Sequence, residues 1–177
     1  MIALYDRTAN SLNAAAPSVL PTLARFVFAA SLLMYFWRSG LTKFDGTPFS
    51  PSIGGYAQIF PRAMEAVGYD IGQMTTFHWA VVVAGTLAEF ILPLLIVIGL
   101  FTRIAALGMI GFVIVQSLTD LYGHGGIAHT ETLGRWFDNL PTGMILDQRA
   151  FWMVVLVTLA LKGAGPLSVD RLLRNAL

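Results

Sequence analysis

Phe77 to Leu100 reads FHWAVVVAGTLAEFILPLLIVIGL. Within it only His78 and Glu89 can carry charge. A helix that crosses the hydrocarbon core of a bilayer needs roughly 17–25 predominantly apolar residues. This run meets that length, and it is apolar all round instead of striped, which excludes an amphipathic helix on a soluble core. Three further segments extend the pattern. Val19 to Leu41 (VLPTLARFVFAASLLMYFWRSGL) qualifies outright. Ile104 to Leu121 (IAALGMIGFVIVQSLTDL) is near the lower limit. Ala150 to Leu161 (AFWMVVLVTLAL) spans only if it begins near Met144 or Ile145 and runs past Lys162.

Composition agrees. Of 177 residues, 56% are hydrophobic and 12% charged, against about 25% charged in soluble domains; the mean hydropathy is +0.69. A soluble domain of this size could not clothe its surface with so few polar groups. A net charge of +1, with no basic block, gives no footprint for nucleic acid. The absence of cysteine removes disulfides, thiolate catalysis and Cys-ligated clusters. Redox chemistry would then run through a bound cofactor, a quinone, a metal on nitrogen and oxygen ligands, or a partner subunit. The expected fold is all-α: a four-helix transmembrane bundle at residues 19–163, preceded by a segment 1–18 and followed by a short basic tail helix within 164–177.

The connections differ in character. Residues 42–76 hold Pro48, Pro51, Gly54, Gly55, Pro61 and Gly68, and within them Tyr56 to Val67 predicts a short amphipathic helix on the bilayer surface. Only Phe101, Thr102 and Arg103 separate the second and third segments, which therefore form a tight antiparallel hairpin. Ser168 reads as the N-cap of the tail helix, with Asp170 in its first turn. Four spans place both termini and the hairpin on one side. That side carries Arg7, Arg25, Arg103, Lys162, Arg171 and Arg174 over short stretches. The other carries Arg38, Lys43, Arg62, Arg135 and Arg149, diluted by most of the acids. Positive-inside logic makes both termini cytoplasmic; the expected location is the cell's inner (plasma) membrane.

Ionisable groups at membrane depth are expensive and face partners or cavities. Glu89 lies near the middle of the second segment, one turn before Pro93. At 1.5 Å per residue, Arg25 lies roughly 9 Å deep and Glu89 roughly 16 Å from the same face, so a long guanidinium stem makes an Arg25–Glu89 pair plausible. Two readings stay open for the pair: a polar pocket for a head group, a quinone carbonyl or a proton, or a structural ion pair fixing helix register. At the opposite face Gln116, Asp120 and His124, spaced i, i+4, i+8, form one polar stripe, followed by His129 and Glu131. A hydrogen-bonded interfacial lid is the simpler reading. A metal site on Asp120, His124 and His129 is the alternative, since imidazole and carboxylate suit zinc, copper or iron, although the spacing matches no established ligand motif. Arg103 reads as a head-group and topology anchor.

Four pieces of the chain together resemble the DoxX family of small bacterial membrane proteins. They are Leu23-Ala24-Arg25 leading to Arg38-Ser39-Gly40-Leu41-Thr42-Lys43, then Ala88-Glu89, then Gly99-Leu100-Phe101-Thr102-Arg103, and Gly163-Ala164-Gly165-Pro166-Leu167-Ser168-Val169-Asp170. The resemblance implies a four-helix membrane bundle, and it marks Arg25, Lys43, Glu89 and Arg103 as motif positions without assigning them roles. It links relatives to quinone-coupled thiosulfate oxidation, to oxidative-stress membrane complexes and to gene neighbourhoods for metal-binding peptides. The expected function is an accessory subunit of a redox or stress-response system, not catalytic on its own, with the lipid bilayer and a partner subunit as its contacts. The alternatives are a quinone-reactive subunit of a sulfur-compound oxidoreductase and a small-molecule or metal-ion carrier.

Overall fold

A computed structural model describes residues 1–176. It is helical, with four helices long and apolar enough to cross a membrane: α1 (Ile2–Leu41), α4 (Thr76–Ile98), α5 (Thr102–Gly123) and α7 (Met144–Lys162). The short helices α2 (Ile53–Ile59) and α3 (Pro61–Ala66) lie between α1 and α4. A single helical turn, α6 (Thr130–Leu133), lies between α5 and α7, and α8 (Val169–Ala176) ends the chain. The four expected segments are all present. The fourth spans because it begins at Met144 and ends at Lys162, the extension its composition required. The expected surface helix at 56–67 is instead two helices. Pro61 opens the second, where its missing N–H costs nothing.

Large apolar side chains line the outside of the bundle: Leu23 and Phe26 on α1, Ile91 and Leu94 on α4, Ile104, Leu107 and Ile114 on α5, Phe151 and Val154 on α7. Such a surface is stable against hydrocarbon and not against water. The interior is a separate set of residues, with Phe28, Phe36, Ile96, Met109, Leu156 and Leu159 fully buried. Small residues carry close approaches. A Cβ at Gly40 would lie 2.7 Å from the ring of Phe90, so the Phe90 side chain of α4 packs directly on the backbone at the end of α1.

On α1 the buried positions Phe28, Leu32, Phe36 and Gly40 recur every fourth residue. A regular α-helix turns 100° per residue, so that stripe would drift by about 40° at each step. A π turn at Ala29–Leu33 widens the helix there and brings the stripe back to one face. Two more π turns close α5 at Thr119–Gly123 and open α7 at Met144–Gln148.

The end of the bundle near the termini is tied by backbone groups. The Arg25 guanidinium donates to four carbonyls: Ile96 (3.1 Å) and Val97 at the end of α4, Ala164 (3.0 Å) and Leu167 in the segment after α7. Gly99, in the left-handed region at φ 73°, ends α4 and leads into the hairpin. Asp170 then caps α5 from the far end of the chain. Its carboxylate accepts from the N–H groups of Phe101 (2.8 Å) and Thr102 (3.1 Å), while its own N–H donates to Gly99 O (2.8 Å). The Ser168 hydroxyl accepts from the Arg171 N–H (3.2 Å), as an N-cap does. The segment 1–18, expected to lie apart from the first span, is helical and continuous with it from Ile2, through Pro17 and Pro21.

Asp170 therefore stabilises α5 as well as its own helix. Asp170→Ala should cost about 1–2 kcal/mol, the range for a lost N-cap. Thermal unfolding in detergent should show a lower midpoint for Asp170→Ala than for Asp170→Asn, which keeps one acceptor oxygen; equal midpoints would remove the cap from the account.

Candidate functional site

Glu89 is 1% exposed and Lys43 5%. They form a closed pair: Lys43 Nζ lies 2.9 Å from Glu89 Oε2 and 3.0 Å from Oε1. Ser39 completes the group. Its hydroxyl donates to Glu89 Oε1 (2.9 Å) and accepts from Lys43 Nζ (2.7 Å), and its carbonyl takes a further bond from Nζ (3.2 Å). All three ammonium protons and both carboxylate oxygens have partners, which a buried ion pair needs if its desolvation is to be offset.

The expected Arg25–Glu89 pair does not form, and the reason lies in α1. Counting depth from Val19 put Leu41 at the far membrane face and Lys43 in the loop beyond it. The helix instead begins at Ile2 and ends against the middle of α4, where Trp37 Nε1 donates to Phe90 O (3.3 Å). Lys43, in the turn that ends α1, thereby arrives beside Glu89. Arg25 is left level with Ile96 and Val97, about two turns of α4 away from Glu89 (roughly 10 Å at 1.5 Å per residue), and spends its donors on carbonyls.

A second pair forms at the junction of α5 and α7. Arg149, 3% exposed, donates through Nη2 to Asp120 Oδ2 and through Nη1 to the Ser117 hydroxyl (2.9 Å). Arg149 was counted among the loop cations. It is buried because the π turn at Met144–Gln148 extends α7 upstream and carries it inside the bundle. Charge matching would have found it: Asp120 near the end of one span and Arg149 near the start of the next lie at the same end of adjacent antiparallel helices.

Between these pairs lies a cavity of about 430 Å3. Ser39, Lys43 and Glu89 form one wall, and Gln116, Asp120 and His124 another, so the two polar clusters read separately in the sequence face one chamber. Its remaining walls are largely small or apolar, among them Ala84, Gly85, Ala88, Leu92, Gly111 and Val115. Helix α2 spans it. At one end Gly55 packs on Lys43, where a Cβ would lie 2.3 Å from the Lys43 carbonyl oxygen. At the other, Gln58 O sits 3.1 Å from His124 Nε2, and Pro61 packs on Gly123. The stripe expected to form an interfacial lid thus lines a wall, and the element lying over the chamber is α2, with His124 as its latch.

Among the described lining residues, Gln116 is the one with a buried side-chain polar atom left without a partner. Its amide nitrogen donates to Tyr35 OH (3.0 Å), while Oε1 is buried with no partner. A buried amide oxygen left in this state costs stability unless something binds it. The candidate metal ligands do not converge. Asp120 is bound to Arg149, His124 to the lid, and His129 is exposed, 3.9 Å from Glu131. Among the described residues no three His, Asp or Glu side chains are placed to share an ion. Arg103 lies at the opposite end of the bundle, donating to Ala160 O (3.0 Å) and Leu161 O (2.8 Å).

These features define a multi-pass membrane protein with an amphipathic chamber set among its helices and roofed by a short interfacial helix. The chain belongs to the DoxX family, whose model matches residues 20–119. That match takes in Arg25, Lys43, Glu89, Arg103 and Gln116 and stops before Asp120, His124 and Arg149. No curated protein and no solved structure matches the chain.

Removing one member of the central pair leaves a buried charge uncompensated, at about 3–5 kcal/mol. Lys43→Met should therefore lower the unfolding midpoint in detergent sharply. Lys43→Met combined with Glu89→Leu should recover most of that loss. A double variant no more stable than the single one would mean the pair acts through something other than charge compensation.

Proposed function

We propose that this chain is an accessory membrane subunit that holds an uncharged, largely apolar molecule with a hydrogen-bonding head, of the quinone class, on behalf of a redox or stress-response partner. The observation that carries this reading is the electrical balance of the chamber. In its walls Lys43 is paired with Glu89, and Asp120 is paired with Arg149 behind it, so the chamber presents no unpaired charge to an ion. What it offers is an apolar body and the unpartnered Gln116 Oε1, an acceptor for a hydroxyl such as that of a quinol, the reduced form of a quinone. Its volume falls in the range of small-molecule sites, roughly 300–1,000 Å3, which combine apolar walls with a few placed polar groups. The same balance argues against the metal-ion carrier.

The redox assignment draws on the family resemblance and on chemistry. With no cysteine in the chain, electrons would come through a partner, so the subunit positions a carrier instead of oxidising a substrate alone. The subunit sits in the inner membrane; its orientation, with both termini cytoplasmic, rests on the distribution of Arg and Lys along the chain. The quinone-reactive sulfur oxidoreductase reading uses the same chamber. It differs in requiring turnover from a reduced sulfur compound when the partner is present.

The test uses decylubiquinol, the reduced form whose hydroxyl can donate to Gln116 Oε1, and detergent-purified protein kept under reducing conditions. A Cβ at Gly111 meets nothing within 4 Å, so Gly111→Leu fills chamber space without striking the backbone. Gly111→Leu should abolish saturable binding. Gln116→Leu, which removes one hydrogen bond worth about 1.5 kcal/mol, should weaken it about tenfold. Binding unchanged in Gly111→Leu, or absent from the wild type, would remove the quinone reading.

A further inference from the structure

A second cavity, also of about 430 Å3, lies at the other end of the bundle, where both the hairpin and the tail are found. Its rim brings together three cations from three elements: Arg103 at the start of α5, Lys162 at the end of α7 and Arg174 on α8. The one carboxylate at the rim, Asp170, is committed to the N–H groups of Phe101 and Thr102. No ion pair among the described residues joins Arg103, Lys162 or Arg174 to an acid. Arg103 is braced by its two bonds to Ala160 O and Leu161 O, both through Nη1. Since a guanidinium carries five N–H donors, Nε and Nη2 stay available.

Three cations therefore converge on one hollow against a single carboxylate, leaving it with an excess of positive charge. The apolar residues around it are open as well: Phe101, Ile104, Leu161, Leu167 and Leu173 are all exposed. Arg103 is the second residue of one spanning helix and Lys162 the last of another, so the hollow lies at the level where hydrocarbon gives way to head groups. Basic pockets between spanning helices at that level are suited to anionic lipid head groups. A soluble anion would use the cations and leave the apolar rim without a role. A lipid uses both, with its phosphate against Arg103, Lys162 and Arg174 and its chains along Ile104 and Leu161.

We propose that this hollow is a binding site for the phosphate of an anionic membrane phospholipid, seated between the hairpin and the tail helix. The site ties α8 to the membrane surface and is distinct from the chamber between α4 and α5. Its ligand is a negatively charged diacyl phospholipid such as phosphatidylglycerol.

Native mass spectrometry of the full chain in detergent, titrated with phosphatidylglycerol or phosphatidylcholine, tests this. Phosphatidylglycerol should show one tighter adduct that phosphatidylcholine does not. Lys162→Gln with Arg174→Gln should weaken that adduct about 30-fold, taking each cation at about 1 kcal/mol, with the unfolding midpoint unchanged without lipid. Lys162 makes no side-chain hydrogen bond among the described residues, so Lys162→Gln alone serves if the double variant loses its fold; its expected effect is about fivefold. Equal retention of the two lipids, or an adduct indifferent to these substitutions, would overturn the proposal. So would displacement of the lipid by millimolar inorganic phosphate, which would make the hollow a site for a soluble anion.

Discussion

The arrangement of the whole molecule turns on one ion pair, Lys43 with Glu89. In hydrocarbon a carboxylate or an ammonium group left alone is too costly to persist, so each fixes the position of the other. Because Lys43 sits in the turn that ends α1, its pairing sets how far α1 runs beside α4. Because its carbonyl is in contact with Gly55, it also sets where α2 begins. From there α2 crosses to His124 and Pro61 meets Gly123, and the space left underneath is the chamber. Lid, wall and helix register all follow from one contact.

The two ends of the bundle solve the same problem by different means. Near the termini, the polar groups that must be satisfied belong to the backbone: the last carbonyls of α4, the first N–H groups of α5, the carbonyls after α7. Long side chains reach in to serve them, Arg25 and Arg103 as donors and Asp170 as acceptor. At the other end the polar groups are side chains, paired with each other around an open volume. The first arrangement fills space and makes a rigid joint. The second leaves a space whose walls are neutral, which is what an uncharged ligand requires.

Hydropathy made the spans legible in the sequence, because the bilayer imposes a minimum apolar length on every crossing helix. The tail cap was legible too, since Ser168 and Asp170 follow local rules of helix termini. The pairing of charges was not. It depends on how helices slide against one another, and an error of a few residues in where α1 begins moves Arg25 away from Glu89 and hides Lys43. Arg149 was missed for a related reason: a helix that opens with a π turn has no conventional start signal. The polar stripe Gln116, Asp120 and His124 could be read from its spacing, and the three residues line one chamber. What it faces was not accessible, because the stripe meets Glu89 only once the hairpin and the lid are folded.

The π turn at Ala29–Leu33 makes the geometry of α1 count in whole residues. That turn absorbs one residue; removing one from the regular helix between it and Lys43 would leave every helical hydrogen bond intact, yet it would rotate all that follows by about 100°. Lys43 would swing off Glu89 and Gly40 off Phe90, with no polar residue altered. The length of this stretch is thus an inherited integer. A single-codon deletion here would be more damaging than most substitutions nearby, whereas one within the bulge would be absorbed as the turn tightens.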